Sequence, residues 1–173
     1  MRIEVVPLRA EQAVTLLTEP ERFAERFGLT PVAGYLAFPE ALAPTVDALE
    51  AGVDPAWFAH LLVDPGAGEV VGFGGFTGPP VDGEVEVGYS VAPSRQGCGH
   101  ATAAVRTWTA AAAARGVRRV VAHTLAEQNA STTVLARCGF RRVGEPFETE
   151  DGTVWRWERE LGADDARSPE SWG

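Results

Sequence analysis

Residues 84–116 read EVEVGYSVAPSRQGCGHATAAVRTWTAAAAARG and predict a strand, a turn with two glycines and a long helix. Acidic and aliphatic side chains alternate at the start of this stretch, which is the period of a half-buried strand. Pro93 ends the strand because proline cannot donate a hydrogen bond to a neighbouring strand. Beyond the turn, apolar side chains recur at helical spacing over residues 101–112, and Gly116 marks the end of the helix.

The turn has the chemistry of an anion-binding site. Gly97 and Gly99 lack a Cβ and therefore let a ligand approach the backbone closely. The first turn of the following helix leaves N–H groups without an intrahelical partner, and the helix dipole adds partial positive charge there. We therefore expect a phosphate or pyrophosphate at this position, although the same glycines could simply form a tight connection. A dinucleotide-binding turn fits poorly, because its third glycine is missing.

Two motifs carry a resemblance to a known family. The pattern Gln96-x-x-Gly99-x-Ala101 resembles the Q/R-x-x-G-x-G/A signature of the GNAT superfamily of N-acetyltransferases, and it lies between a strand and a helix as it does in that family. Residues 129–140, NASTTVLARCGF, are similar to the family's second motif, N-x-x-S followed by Gly-Phe. Both segments are also similar to the branch that includes ribosomal-protein N-terminal acetyltransferases.

This resemblance covers residues 57–161 and implies a fold. We expect a single α/β (α+β) domain with a mixed, mainly antiparallel twisted sheet and helices on both faces. A splay is expected between the central strands that end at Val91 and Leu125. We place the domain at residues 1–161 and expect residues 162–173 to form a disordered tail.

The rest of the chain supplies further strands and helices. Strands are predicted at residues 3–8, 57–63, 69–76, 118–125, 141–148 and 154–161. Helices are predicted at residues 11–17, 20–27, 44–51 and 129–138, and residues 29–39 are predicted to form a loop. The resemblance implies that the N-terminal helical region shapes the pocket for the acceptor.

Composition limits the partners of the chain. It has 173 residues, two cysteines and a net charge of −9, with arginine as its only basic residue apart from three histidines. This acidic balance argues against nucleic acid, whose binding depends on neutralising phosphates. No apolar run reaches the ~20 residues of a membrane span, the first residues do not resemble a signal peptide, and no His/Cys cluster has metal spacing. We therefore expect a cytoplasmic protein with reduced cysteines, no metal and no membrane partner.

The resemblance implies acetyl-CoA as the co-substrate. Its pyrophosphate is expected on the amides of the glycine turn and its pantetheine arm along the end of the preceding strand. The cofactor-binding residues implied in this way are Tyr89, Ser90, Val91, Gln96, Gly97, Cys98, Gly99, His100, Ala101, Thr102, Asn129 and Ser131. Asn129 is also a natural N-cap for the helix that follows it.

Acetyl transfer from a thioester to an amine needs a base, an oxyanion donor and a proton for the thiolate. The resemblance implies Glu86 as the catalytic base, although Glu84 and Glu86 could both be solvated residues on one strand face. It implies the backbone N–H of Val91 as the oxyanion donor. Ala136 stands where many family members carry a tyrosine, which leaves Ser131 or water to protonate the thiolate.

We expect direct acetyl transfer in a ternary complex to the primary amine of a small molecule or of a peptide N-terminus. Two alternatives stay open: a non-catalytic acyl-CoA sensor, favoured by the missing tyrosine, and an oligomeric scaffold that keeps only the fold. His123 reads more simply as a packed residue than as a base, and Cys98 has no histidine beside it to make it a nucleophile. The oligomeric state stays open: the resemblance implies that a homodimer is possible, with the last hairpin as its interface.

Overall fold

An eight-stranded sheet runs through the part of the chain that the computed structural model describes, residues 2–167. Its strands are β1 Glu4–Pro7, β2 Thr30–Pro31, β3 Ala59–Asp64, β4 Glu69–Phe76, β5 Glu84–Val91, β6 Arg119–Leu125, β7 Arg141–Thr149 and β8 Gly152–Glu160. They lie in the order β1-β3-β4-β5-β6-β8-β7, and β2 pairs with β4. The β5–β6 and β2–β4 pairs are parallel and the others are antiparallel, which confirms the mixed, mainly antiparallel sheet.

Helices cover both faces of this sheet, as predicted. They are α1 Ala10–Thr18, α2 Phe23–Phe27, α3 Leu42–Glu50, α4 His100–Ala114 and α5 Ala130–Arg137. Strand β3 serves both layers, because alternate side chains of a strand point to opposite faces. Leu62 packs with the side chains of α4 and α5, whereas Leu61 and Val63 pack with those of α1, α2 and α3.

Helix α4 is fixed to the sheet by Trp108. This side chain is fully buried, and its Nε1 donates a hydrogen bond to His60 Nδ1 at 2.8 Å. The ring lies so close to β4 that a Cβ on Gly74 would come within 2.5 Å of it. Glycine at position 74 therefore allows α4 to pack directly on the central strands.

The central strands splay apart as predicted. β5 and β6 pair only between Glu84–Glu86 and residues 119–121. Beyond that point β5 stays paired with β4, and β6 stays paired with β8 as far as Leu125. The sheet is therefore open between Val87 and Ala122, and no strand of the described residues fills the gap.

Two segments differ from the sequence expectation. The predicted loop at residues 29–39 contains β2, because Thr30 and Pro31 run alongside the start of β4. The predicted tail from residue 162 begins with a short 3-10 helix, Ala163–Arg167, in which Asp165 forms an ion pair with Arg159. Residues 168–173 lie outside the described part.

None of the helices between residues 2 and 167 has both the length and the apolar character that crossing a membrane requires.

Candidate active site

The gap between β5 and β6 opens into a cleft of about 1050 Å³. Its walls come from both strands, the start of α5, the segment at residues 37–45 and the β7–β8 hairpin. Tyr89 lies on the α4 side of the sheet, where it packs against Trp108, whereas Glu86 and His123 belong to the opposite face. Tyr89, Glu86 and His123 all line the cleft. The cleft therefore passes through the sheet from one face to the other.

Strand β5 directs alternate backbone groups into this gap. The N–H of Ala92 donates to the Val71 oxygen of β4 at 2.8 Å. Backbone groups alternate in direction along an antiparallel strand, so Tyr89 and Val91 direct their N–H groups away from β4. The gap therefore receives main-chain donors from the end of β5, where the resemblance implies the pantetheine contacts and the oxyanion donor.

The glycine turn follows directly and is open above its backbone. Gly97 and Gly99 have φ angles of +79° and +81°, and a Cβ on either would meet nothing within 4 Å. Gly99 is the N-cap residue of α4 and no side chain caps the helix. Gln96 Nε2 donates to the Val91 oxygen at 3.1 Å and so fixes the turn to the end of β5. An open, uncapped helix start of this kind fits a phosphate group.

Three other predicted cofactor residues have local roles. Cys98 is exposed, and its thiol contacts the Gln96 backbone oxygen at 3.9 Å. His100 is buried in the first turn of α4, and burial lowers the pKa of its imidazole. Ser90 Oγ donates to the Tyr35 oxygen at 2.9 Å and accepts from Ala37 N at 3.2 Å, so its hydroxyl holds the N-terminal segment over β5.

Asn129 caps α5. Its side-chain oxygen accepts from Thr132 N at 3.1 Å, and Thr132 Oγ1 accepts in return from Asn129 N at 3.0 Å. The side chain of Asn129 lines the cleft while it caps the helix. The main-chain oxygen of Ser131, in the first turn, accepts a hydrogen bond from the Tyr89 hydroxyl at 3.2 Å. Burial raises the pKa of Tyr89, which therefore keeps this proton at ordinary pH.

The helix phase corrects the expectation for position 136. Ala136 is exposed and does not line the cleft. Leu135, the residue before Ala136, is fully buried and lines the cleft. Ser131, four residues before Leu135, lines the cleft as well. Residues at i and i+4 share a helix face, so a tyrosine from α5 would have to stand at position 135 to enter the cleft. An aliphatic side chain occupies that position, and the phenol in the cleft comes from Tyr89.

Glu86 and His123 meet at the point where β5 and β6 separate. His123 Nδ1 lies 3.1 Å from Glu86 Oε2, and the side chains are 29% and 42% exposed. Phe147 of β7 packs edge-on against the imidazole at 5.7 Å. Glu84, on the same strand face, is instead held by Arg119 at 3.5 Å and Arg156 at 3.3 Å. The two glutamates of β5 therefore differ, and only Glu86 lines the cleft.

The contact of His123 with Glu86 was not predicted from the sequence, in which His123 reads as a packed residue. The signal that identifies it is the strand register, which places Glu86 beside Val121 and so puts His123 two residues further along on the same face. Within residues 2–167, no group of three or more His, Cys, Asp or Glu side chains is arranged to hold a metal ion.

The chain is similar to known acetyltransferases. The profile of the acetyltransferase (GNAT) domain matches residues 2–141. Ribosomal-protein-S5-alanine acetyltransferase from Vibrio fischeri is 19% identical with a TM-score of 0.64, over 92% of this chain and 93% of that one. Mycobacterium smegmatis RimJ, solved with CoA-disulfide, is 22% identical with a TM-score of 0.63, over 98% and 85%.

A putative GNAT-family acetyltransferase from Bordetella pertussis is 25% identical with a TM-score of 0.63, and the match covers 91% of this chain and 95% of that one. No curated protein matches the chain by sequence. The structural likenesses span nearly the whole of both partners, so they show a shared fold rather than a shared fragment.

Proposed function

Because the chain belongs to the GNAT acetyltransferase family, we propose that it transfers the acetyl group of acetyl-CoA to a primary amine in the cleft between β5 and β6. The observation that carries this proposal is the arrangement along β5. The strand presents Glu86 beside His123, then directs the Val91 N–H into the gap, and then leads into the open turn before α4. The strand and the turn that follows it thus supply a base, an oxyanion donor and a binding site for phosphate.

The glycine turn and the gap between β5 and β6 bind different parts of acetyl-CoA. The amides of Gly97, Gly99 and residues 100–102 bind the pyrophosphate, with the positive end of the α4 dipole behind them. The pantetheine arm lies along Tyr89–Val91, with Asn129 and Ser131 on the other side of the gap. This arrangement brings the thioester into the cleft from the α4 and α5 face of the sheet.

The acceptor enters from the opposite face, where Glu86 and His123 lie. The Glu86 carboxylate binds the ammonium group, and the pair takes one proton from it to give the attacking amine. In the simpler route the carboxylate takes this proton itself, while His123 Nδ1 donates a hydrogen bond to Glu86. In the alternative route the ammonium group lies at His123 Nε2, which takes the proton while Glu86 holds the Nδ1–H. A base of this kind contributes roughly 10²–10⁴-fold to a rate.

The amine nitrogen then attacks the thioester carbon, and the Val91 N–H stabilises the oxyanion. Collapse of this intermediate breaks the carbon–sulfur bond and forms the amide, and CoA leaves as a thiolate. The nitrogen of the intermediate loses its second proton as the amide forms, and Ser131 or water relays this proton to the thiolate. Since a thiol of ordinary pKa near 8.5 is a good leaving group, the absence of a phenol at position 135 does not prevent turnover.

The test is an amine screen with acetyl-CoA in which both products are measured: free thiol by a colorimetric reagent and acetylated amine by mass spectrometry. Equal yields of the two support acetyl transfer. Cys98→Ala is expected to keep full activity, because transfer is direct and forms no acetyl-cysteine. Tight binding of acetyl-CoA without acetylated product for any amine would support the acyl-CoA sensor instead, which the apolar Leu135 favours.

A further inference from the structure

The charged side chains that line the cleft have one sign. Glu40 comes from the 3-10 helix Pro39–Ala41, Glu86 from β5 and Asp151 from the β7–β8 turn, so three separate walls each carry a carboxylate. The chain has fifteen arginines. None of those at positions 2–159 lines this cleft.

The remainder of the lining is largely apolar. Five phenylalanines line it: Phe38, Phe58, Phe73, Phe76 and Phe147. Aromatic faces attract cations and offer no hydrogen bond to an anion. The cleft therefore combines negative charge with apolar surface.

One arginine lies close to the catalytic pair in the sheet and has to be considered. Arg156 of β8 is opposite His123 in the β6–β8 register. Its guanidinium binds Glu84 at 3.3 Å and Glu158 at 2.8 Å. Because two carboxylates already neutralise it, Arg156 is a poor counter-ion for a ligand in the cleft.

We infer that the acceptor is a primary amine on an apolar body that carries no carboxylate, phosphate or phosphinate group. The inference rests on the proposed acetyl transfer and specifies the substrate class of that same site. An ammonium group gains attraction from Glu86 and from the phenylalanine faces. An anionic group on the same acceptor would lose its water without finding a cationic partner, beside carboxylates of like charge. Arylalkylamines satisfy this rule, and so do apolar peptide N-termini.

The test compares four acceptors that share a phenyl side chain: phenylalanine, phenylalaninamide, phenethylamine and a short peptide amide with an N-terminal phenylalanine. Free thiol release with acetyl-CoA gives kcat/KM for each. We expect phenethylamine and phenylalaninamide to exceed phenylalanine by at least about tenfold. Phenethylamine is the critical compound, because its amine is more basic than that of phenylalanine, so a preference for it cannot come from a larger free-base fraction.

Charge reversals assign the selectivity to the cleft. Glu40→Arg and Asp151→Arg are each expected to reduce the ratio of phenethylamine to phenylalanine several-fold. Glu50→Arg makes the same charge change on the exposed end of α3, outside the cleft, and is expected to leave the ratio unchanged. A thermal shift with acetyl-CoA equal to that of the wild type establishes that each variant is folded.

The outcomes distinguish failure of the inferred substrate class from failure of the proposed acetyl transfer. If phenylalanine reacts as well as phenethylamine, the inference is overturned and acetyl transfer stands. If none of the four acceptors releases thiol but another amine of the wider screen is acetylated, the inference is overturned and acetyl transfer stands; if no amine of either set is acetylated, both are overturned. A ratio that responds equally to Glu50→Arg overturns the assignment to the cleft carboxylates. The peptide arm shows which source supplies the amine, and either order of the peptide and phenethylamine agrees with the inference.

Discussion

His123 Nδ1 lies 3.1 Å from Glu86 Oε2, and this contact joins the last paired residue of β5 to a residue two positions beyond the last paired residue of β6. The two side chains therefore span the point where the sheet opens. Neither is deeply buried, so the contact itself adds little stability. Both residues line the cleft, so we expect the contact to matter for the acceptor amine more than for the fold.

The first prediction concerns this pair. Glu86→Gln and His123→Gln are each expected to lower kcat/KM by roughly 100-fold or more, because a general base contributes that much. The double variant is expected to be hardly worse than the poorer single variant, since residues that act as a unit are not additive. Steady-state kinetics with phenethylamine measure all three.

Glu84→Gln is the matched control, because Glu84 is on the same strand face but is bound by Arg119 and Arg156. Its kcat/KM is expected to stay within a few-fold of the wild type. An equal loss in Glu84→Gln would mean that the overall negative charge of the strand matters, and the special role of Glu86 would have to be abandoned.

The second prediction concerns the glycine turn. Gly99→Glu places a carboxylate where the pyrophosphate is expected and should abolish stabilisation by acetyl-CoA. A ligand at 100 times its Kd stabilises the folded state by about 2.7 kcal/mol, which a thermal melt detects readily. Gly116→Glu is the control: its φ is +83°, its Cβ would also meet nothing within 4 Å, and it lies beyond the other end of α4. If both variants lose the stabilisation by acetyl-CoA, the cause is backbone strain and not a blocked anion-binding site at the glycine turn.

The third prediction separates two hydroxyl groups at the gap. Tyr89→Phe removes the hydrogen bond to the Ser131 oxygen, so we expect a loss of about 1 kcal/mol in the free energy of unfolding and weaker acetyl-CoA binding. Ser131→Ala leaves that bond intact, and we expect an unchanged melting temperature with a fall in kcat of roughly tenfold at most, since a thiolate needs little help to leave. The reverse pattern would make Tyr89 the proton donor.

The β5–turn–α4 unit was predictable because its signals are local. Alternation, Pro93 and the two glycines act within a few residues of one another, and the structure has β5 and α4 where the sequence predicts them. The pairing of Glu86 with His123 depends on the β5–β6 register, which joins segments more than thirty residues apart. Nothing local to His123 indicates it.

Other details depended on phase and distant contacts. A single residue turns a helix position by about 100°, so a one-residue difference decides that Leu135 enters the cleft and Ala136 does not. The hydroxyl of Ser90 binds the Tyr35 oxygen from a segment 55 residues away, which no local pattern encodes. The structured start of the predicted tail likewise depends on the contact of Asp165 with Arg159.

The last prediction concerns stability in acid. His60 is fully buried and accepts the hydrogen bond from Trp108 Nε1. Burial lowers the pKa of His60 from 6.5 to about 3, while a hydrogen bond with the Ala56 backbone opposes this shift. Between these two pH values the unfolded chain binds a proton at His60 and the folded chain does not. As the pH is lowered below 6.5, the free energy of unfolding should therefore decrease by about 1.4 kcal/mol per pH unit. The decrease should stop once the pH is low enough for the folded state to bind the proton as well.

His60→Asn tests this account, because the asparagine oxygen can take the place of Nδ1 as the acceptor for Trp108 without titrating. The variant is expected to be less stable at neutral pH, since the smaller side chain leaves a cavity. Urea unfolding at about pH 7.5 and about pH 5 should show that the wild type loses about 2 kcal/mol more than the variant over this interval. Other titrating groups, including His100, are common to both proteins and cancel in the comparison. Parallel losses in the two proteins would show that the acid sensitivity comes from elsewhere in the chain.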